Sequence, residues 1–84
     1  MTVKELIKQL KKLDGDRIVI LSKDGEGNGF SPLADVECSA YIADTTWSGE
    51  VHIEELTPGL IEKGYTEDDV REDGKKAVVL WPTN

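Results

Sequence analysis

Hydrophobic residues recur at helical spacing near the amino terminus of the chain. The apolar positions of this stripe are Val3, Leu6, Ile7, Leu10 and Leu13. At about 100° per residue they fall within an arc of about 120°, which is typical of a helix with one buried face. Thr2 precedes the stripe and Glu5 follows three residues later, the spacing of a capping box. The pattern therefore predicts a helix from Val3 to about residue 14, where Gly15 supplies a stop.

Short apolar runs and two-residue alternation predict four strands after this helix. The predicted strands span residues 17–22, 35–42, 50–54 and 75–81. The first and last contain unbroken apolar runs, which are typical of strands buried on both faces, so we expect both near the centre of a sheet. The other two alternate apolar with polar residues, as half-exposed strands do, and this alternation directs Cys38 inward.

Together these elements predict a single α+β domain over residues 1–84. The predicted fold is an amino-terminal helix packed on a small, mainly antiparallel sheet of about four strands. Thr57 and Thr66 each begin a helix-start signal, and Pro58 suits the first helical position, so a short helical insert is expected before the last strand. A chain of this length buries only about 60–65% of the surface that it exposes when unfolded, which predicts modest stability.

Charge is distributed unevenly along the chain. The whole chain carries a net charge of −7, whereas residues 1–13 carry +3. Residues 50–73 contain nine carboxylates against only Lys63 and Arg71. This stretch would repel a phosphate backbone and attract a basic partner. We therefore expect no direct nucleic-acid binding, and a protein as the partner.

The composition also bears on the compartment. Cys38 is the only cysteine, so no disulfide forms within the chain. The amino terminus lacks an apolar stretch of signal-peptide type, and the longest apolar runs are far shorter than the roughly 20 residues that cross a bilayer. We expect a cytoplasmic protein with no membrane partner, and the oligomeric state stays open.

A glycine-rich loop after the first strand has two interpretations. The oxygen-bearing residues at the first, third, fifth and twelfth positions of a calcium-loop pattern are Asp24, Glu26, Asn28 and Asp35. Gly29 occupies the sixth position, but predicted strands rather than helices flank the loop. The alternative is a wide hairpin connection in which Phe30, Pro32 and Leu33 tuck inward. We favour the connection, so no cofactor is expected, with calcium as the alternative.

Neither of the reactive side chains has the pattern of a catalytic pair. His52 lies on the polar side of its predicted strand beside Glu50 and Glu54, and general acid or base catalysis needs a positioned partner and a pocket. Cys38 has no basic neighbour that would stabilise a thiolate. We therefore expect no enzymatic activity.

Trp47 lies in a polar turn where the strand pattern does not require a tryptophan. Core packing and an exposed interface anchor are both open for it. The predicted contact residues are Trp47, Glu50, Glu54, Glu55, Glu67, Asp68 and Asp69. The alternative to a general binding surface is an acidic inhibitor that imitates nucleic acid and occupies a basic groove of a host protein.

Three segments of the chain resemble a set of small uncharacterised proteins encoded by tailed bacteriophages and prophages. They are MTVKELI at residues 1–7, EGNGFSPL at 26–33 and AVVLWP at 77–82. The resemblance implies residence in the bacterial cytoplasm and an accessory role in infection, and it carries no catalytic or binding residues. The expected function is that of a non-catalytic phage accessory protein that acts by protein–protein binding.

Overall fold

The computed structural model describes all 84 residues, Met1–Asn84. Its elements are, in chain order, α1 (Val3–Leu10), β1 (Ile20–Ser22), β2 (Phe30–Ala43), β3 (Gly49–His52), α2 (Pro58–Glu62), a 3₁₀-helix (Glu67–Asp69) and β4 (Lys75–Pro82). These elements confirm the predicted α+β fold. They comprise an amino-terminal helix, a mostly antiparallel sheet of four strands and a short helical insert before the last strand. None of the helices has the length and apolar content needed to cross a lipid bilayer.

Strand β2 is the one to which the three other strands pair. Antiparallel pairing places Ile20 of β1 opposite Pro32, and Gly49 of β3 opposite Ala43. Strand β4 also pairs with β2. The prediction that the unbroken apolar runs form central strands is wrong, because β1 and β4 each pair only with β2. Residue Ile18 of the first run lies outside any strand.

The backbone divides into two compact units. Unit 1 consists of Met1–Asp35 and Leu80–Asn84, and unit 2 consists of Val36–Val79. Strands β2 and β4 contribute residues to both units.

In unit 1, α1 begins as predicted and ends early. The backbone N–H of Glu5 donates to the hydroxyl of Thr2 at 3.1 Å. The helix ends at Leu10 instead of residue 14. Beyond it the N–H of Leu13 donates to the carbonyl of Leu10 at 3.0 Å. This tighter, three-residue bond closes a 3₁₀-type turn in place of another α-helical turn.

Strand β2 begins within the predicted loop, at Phe30. Ser31 is buried, whereas Phe30 and Pro32 are exposed and Leu33 is half-buried. The prediction that Phe30 and Pro32 tuck inward is therefore wrong, because successive residues of a strand face opposite sides and Ser31 takes the inner one.

In unit 2 the most buried residues are neighbours on β2. Ala40 is 2% exposed and is the one buried hydrophobic residue, and Ser39 is 4% exposed. Gly74 permits the close packing, because a Cβ at that position would lie 2.9 Å from the Cβ of Ala40. Cys38 is exposed, so its predicted inward orientation is wrong. It lines an open cavity instead of a packed core.

Candidate protein-binding surface

The loop between β2 and β3 is a compact turn held by one hydroxyl group. The Thr45 hydroxyl oxygen accepts the backbone N–H groups of Trp47 at 3.2 Å and Ser48 at 3.0 Å. The N–H groups of Asp44 and Thr45 both donate to the Ser48 carbonyl, at 2.9 and 3.0 Å. The turn therefore satisfies its own polar groups locally, as turns built on a threonine hydroxyl do.

Trp47 projects from this turn into solvent. It is 84% exposed, the highest value among the large hydrophobic residues of the chain. The sequence left Trp47 either in the core or at the surface, and the structure places it at the surface. An exposed tryptophan offers a large apolar area and an N–H donor at the same position, which is why this residue type is enriched at binding hot spots.

The predicted acidic contact residues occupy three segments of unit 2. Glu50 lies on β3, Glu54 and Glu55 follow it, and Glu67, Asp68 and Asp69 form the 3₁₀-helix. A parallel bridge between Ile53 and Val70 joins the second and third segments. The N–H of Arg71 also donates to the carbonyl of Ile53 at 3.4 Å. Carboxylates far apart in sequence therefore lie on adjacent stretches of backbone.

Two open cavities with shared walls form among these segments. The larger, of about 540 Å³, is lined by residues that include Glu37, Ile53, Glu54, Glu55, Leu60 and Tyr65. The smaller, of about 240 Å³, shares Glu37, Ile53 and Tyr65 and adds His52 and Asp69. Glu54 and Glu55 therefore line the larger cavity and Asp69 the smaller one, and Tyr65 lies in the wall of both. Trp47, Glu67 and Asp68 line neither cavity.

The position of Tyr65 follows from the way α2 ends. Gly64 has a left-handed φ of 97°, which ends the helix without steric cost because glycine lacks a Cβ. The N–H of Gly64 donates to the carbonyl of Ile61 at 3.0 Å, and that of Tyr65 donates to the carbonyl of Leu60 at 3.1 Å. These two bonds form a Schellman motif, which turns Tyr65 back toward Leu60 at the cavity wall.

Two lining residues were missed by sequence reasoning. Glu37 stands at a polar position of an alternating strand, and nothing local separates a carboxylate that faces a cavity from one that faces bulk water. Tyr65 carries a signal that was available, since an aromatic residue directly after a glycine at a helix end commonly contacts the last turn of that helix.

None of the four carboxylates that line the two cavities forms a salt bridge, because the two salt bridges of unit 2 involve Glu50 and Asp73, which line neither cavity. Glu50 pairs with His52 at 3.3 Å. Two hydrogen bonds from Arg71, at 3.0 and 2.8 Å, hold the pKa of Asp73 below its usual value. No salt bridge reaches the carboxylates of the larger cavity, where Lys63 is the only basic residue. The residues that line the cavities therefore carry a net negative formal charge.

Three of the four candidate calcium ligands meet in the glycine-rich loop of unit 1. Asp24 Oδ1 accepts the N–H groups of Glu26 and Asn28 at 2.9 and 3.1 Å, and the Asn28 amide donates to Asp24 Oδ2 at 3.0 Å. These bonds, first the one from the Asn28 backbone, lower the pKa of Asp24. Asp35 lies on β2, and no three His, Cys, Asp or Glu side chains are grouped to hold a metal ion.

The two reactive side chains of unit 2 line different cavities. Cys38 lines the larger cavity and His52 the smaller one.

No protein-family model matches the chain, and no curated protein or solved structure is similar to it. Function is therefore inferred from the geometry of the described residues.

Proposed function

We propose that this chain acts by binding another protein through a surface that combines the acidic cavities of unit 2 with the exposed Trp47. One observation carries the proposal. Three carboxylates without a salt-bridge partner, those of Glu54, Glu55 and Asp69, line two cavities that share Tyr65 in their walls. Such a surface suits a protein segment that carries lysine or arginine beside apolar side chains.

The chemistry of the larger cavity explains why the partner segment is basic. Its wall mixes the apolar side chains of Ile53 and Leu60 with three carboxylates. A neutral partner that covered these carboxylates would leave them desolvated and unpaired, which costs several kcal/mol for each buried charge. A lysine or arginine side chain replaces the lost hydration and places its aliphatic stem on the apolar wall.

Trp47 extends the proposed surface to the β2–β3 turn. The residue lies outside both cavities, so it contributes an apolar anchor that does not depend on the carboxylates. Because the turn satisfies its own hydrogen bonds, the anchor is already positioned before a partner arrives, which lowers the entropic cost of binding.

The resemblance to small phage proteins supports an accessory, non-catalytic role during infection, with a host or phage protein as the partner in the bacterial cytoplasm. An inhibitor that imitates nucleic acid would use the same carboxylates. Such a mimic needs no apolar anchor, so the contribution of Trp47 separates the two functions.

Nuclear magnetic resonance with two model peptides tests the proposed surface. The first peptide alternates lysine with leucine, and the second alternates glutamate with leucine. We expect the lysine peptide to shift the backbone signals of Leu60 and Tyr65, whereas the glutamate peptide leaves them unchanged. Equal shifts with both peptides, or shifts confined to unit 1, would overturn the proposal.

A further inference from the structure

Unit 1 keeps most of its large apolar side chains in solvent. Helix α1 has no buried residue. About half of the surface of Val3, Ile7, Leu10 and Leu13 stays accessible, and Ile18 is 82% exposed. A helix with one apolar stripe is stable in a globular protein only when that stripe packs against something.

The apolar stripe of α1 and the turn after it, together with residues 18–20, form the apolar face of unit 1, and the two parts meet at the carboxyl-terminal end of the helix. Leu10, Leu13, Ile18 and Ile20 line a common open cavity of about 410 Å³. The charged residues at that cavity, Asp14 and Arg17, belong to the turn that follows the helix. The apolar stripe of α1 itself contains no charged side chain. The face can therefore be covered by an identical face without burying an unpaired charge of the stripe.

The total exposed surface is larger than that of a compact protein of the same mass. The accessible surface is 7256 Å² for 9.3 kDa. A compact protein of this mass exposes about 5,000 Å², and two separate compact bodies with these residues would together expose about 6,000 Å². The surplus therefore holds for any arrangement of the two units. Because Ala40 is the one buried hydrophobic residue, the single chain has almost no apolar core of its own.

We infer that a second copy of this chain covers the apolar face of unit 1 in a two-fold symmetric dimer. A chain with almost no apolar core of its own gains stability from a partner that is present wherever the chain is made, and another copy meets this condition. In a two-fold dimer the same patch is used on both copies, so the face meets itself.

The area available matches the area that such a dimer needs. The exposed large apolar side chains of this face present on the order of 700 Å², most of the about 800 Å² that each partner contributes to a standard stable interface. The surface also differs from the proposed partner surface, which is formed by residues of unit 2. The dimer and the binding of another protein can therefore be tested independently.

Light scattering after gel filtration and thermal unfolding over a hundredfold range of protein concentration test this inference. We expect twice the mass of 9.3 kDa and an unfolding midpoint that rises with concentration, because dimerisation and folding are linked. A folded monomer with a midpoint independent of concentration would overturn the inference.

Matched variants locate the interface. Leu10→Glu places a charge in the apolar face and should weaken the dimer more than about 100-fold or leave the chain unfolded. Lys8→Glu introduces the same side chain on the opposite side of α1, and Trp47→Glu introduces it in unit 2, so both should stay dimeric. A dimer that survives Leu10→Glu and is lost in Trp47→Glu would place the interface elsewhere and refute the assignment to unit 1.

Discussion

The hydroxyl group of Tyr41 packs against the backbone of Gly49 across the β2–β3 hairpin. A Cβ at position 49 would stand 2.5 Å from the Tyr41 hydroxyl oxygen and 2.5 Å from the carbonyl oxygen of Ile42. Gly49 pairs with Ala43 directly below the turn that carries Trp47. The absence of a side chain at this position therefore sets how tightly the hairpin closes beneath the proposed anchor.

Replacing this glycine should destabilise the protein. In Gly49→Ala the added methyl group meets a backbone carbonyl that cannot move freely, and overpacking of this kind costs about 1–3 kcal/mol. Urea denaturation measures the change in the free energy of unfolding. Gly59→Ala in α2 is the control, because its Cβ meets nothing within 4 Å and alanine favours a helix by about 1 kcal/mol. A Gly49→Ala protein as stable as the Gly59→Ala protein would contradict the close approach.

Ser31 offers a change that should increase stability. Its hydroxyl oxygen is buried and has no hydrogen-bond partner, and leaving such a group unsatisfied costs about 1–3 kcal/mol. Ser31→Ala should therefore raise the free energy of unfolding in the same urea experiment. Ser22→Ala should lower it, because that hydroxyl donates to the carbonyl of Asp24 at 2.6 Å. If both variants lose stability, Ser31 has a partner in solution.

The pKa of Asp24 makes stability depend on pH in the acid range. Hydrogen bonds from Asn28 and Glu26 lower the folded-state pKa below the usual 3.8. The stabilisation by this carboxylate is therefore fully present above that unfolded value and is lost as the pH falls through the folded-state pKa. Melting temperatures between pH 6 and pH 2 should fall less steeply in Asp24→Asn than in the native protein.

Asp16→Asn is the control for this experiment, since the Asp16 carboxylate accepts no hydrogen bond. It should follow the native pH curve, and identical curves for all three proteins would refute the role of Asp24.

The calcium alternative has its own signature. It predicts that millimolar calcium raises the melting temperature and that Asp24→Ala abolishes the rise, whereas an unchanged melt is expected if the loop closes only on its own amides.

Local signals predicted the fold better than they predicted burial. The cap formed by Thr2 and Glu5 was readable because both partners lie within one turn. The early start of β2 could not be predicted from the sequence, because Pro32 looks like a loop residue. Proline lacks only the N–H donor, and the carbonyl of Pro32 still accepts the N–H of Thr83 at 2.9 Å, a contact between distant parts of the chain that local patterns do not reveal. The exposure of Cys38 likewise depends on what lies opposite, which alternation does not encode.

In the candidate site, too, local signals were readable from the sequence and contacts between distant residues were not. The excess of carboxylates in residues 50–73 was visible from composition. Their grouping depends on the bridge between Ile53 and Val70, because Asp69 lines the smaller cavity, which shares Ile53 and Tyr65 with the larger cavity that Glu54 lines. Local patterns do not specify such a pairing, because a single backbone bridge leaves no periodic signal.

Salt should separate the two parts of the proposed binding surface. Attraction between exposed charges is screened at high ionic strength, whereas apolar contact is far less affected. In a pull-down from a bacterial lysate, raising the salt concentration should weaken but not abolish retention of a specific partner, and Trp47→Ala should lower retention at both concentrations. A nucleic-acid mimic would lose its partner at high salt and be indifferent to Trp47→Ala.

The affinity of the lysine–leucine peptide for cavity variants tests the central claim most directly. Titration calorimetry at one ionic strength should show binding to the native protein that weakens about three- to thirtyfold in the double variant Glu54→Gln and Glu55→Gln, as expected for the loss of two partly exposed charge contacts. The matched double variant Glu67→Gln and Asp68→Asn removes two carboxylates outside the cavities and should bind as the native protein does. Equal affinity for all three proteins would contradict the assignment of the acidic cavities as the protein-binding surface.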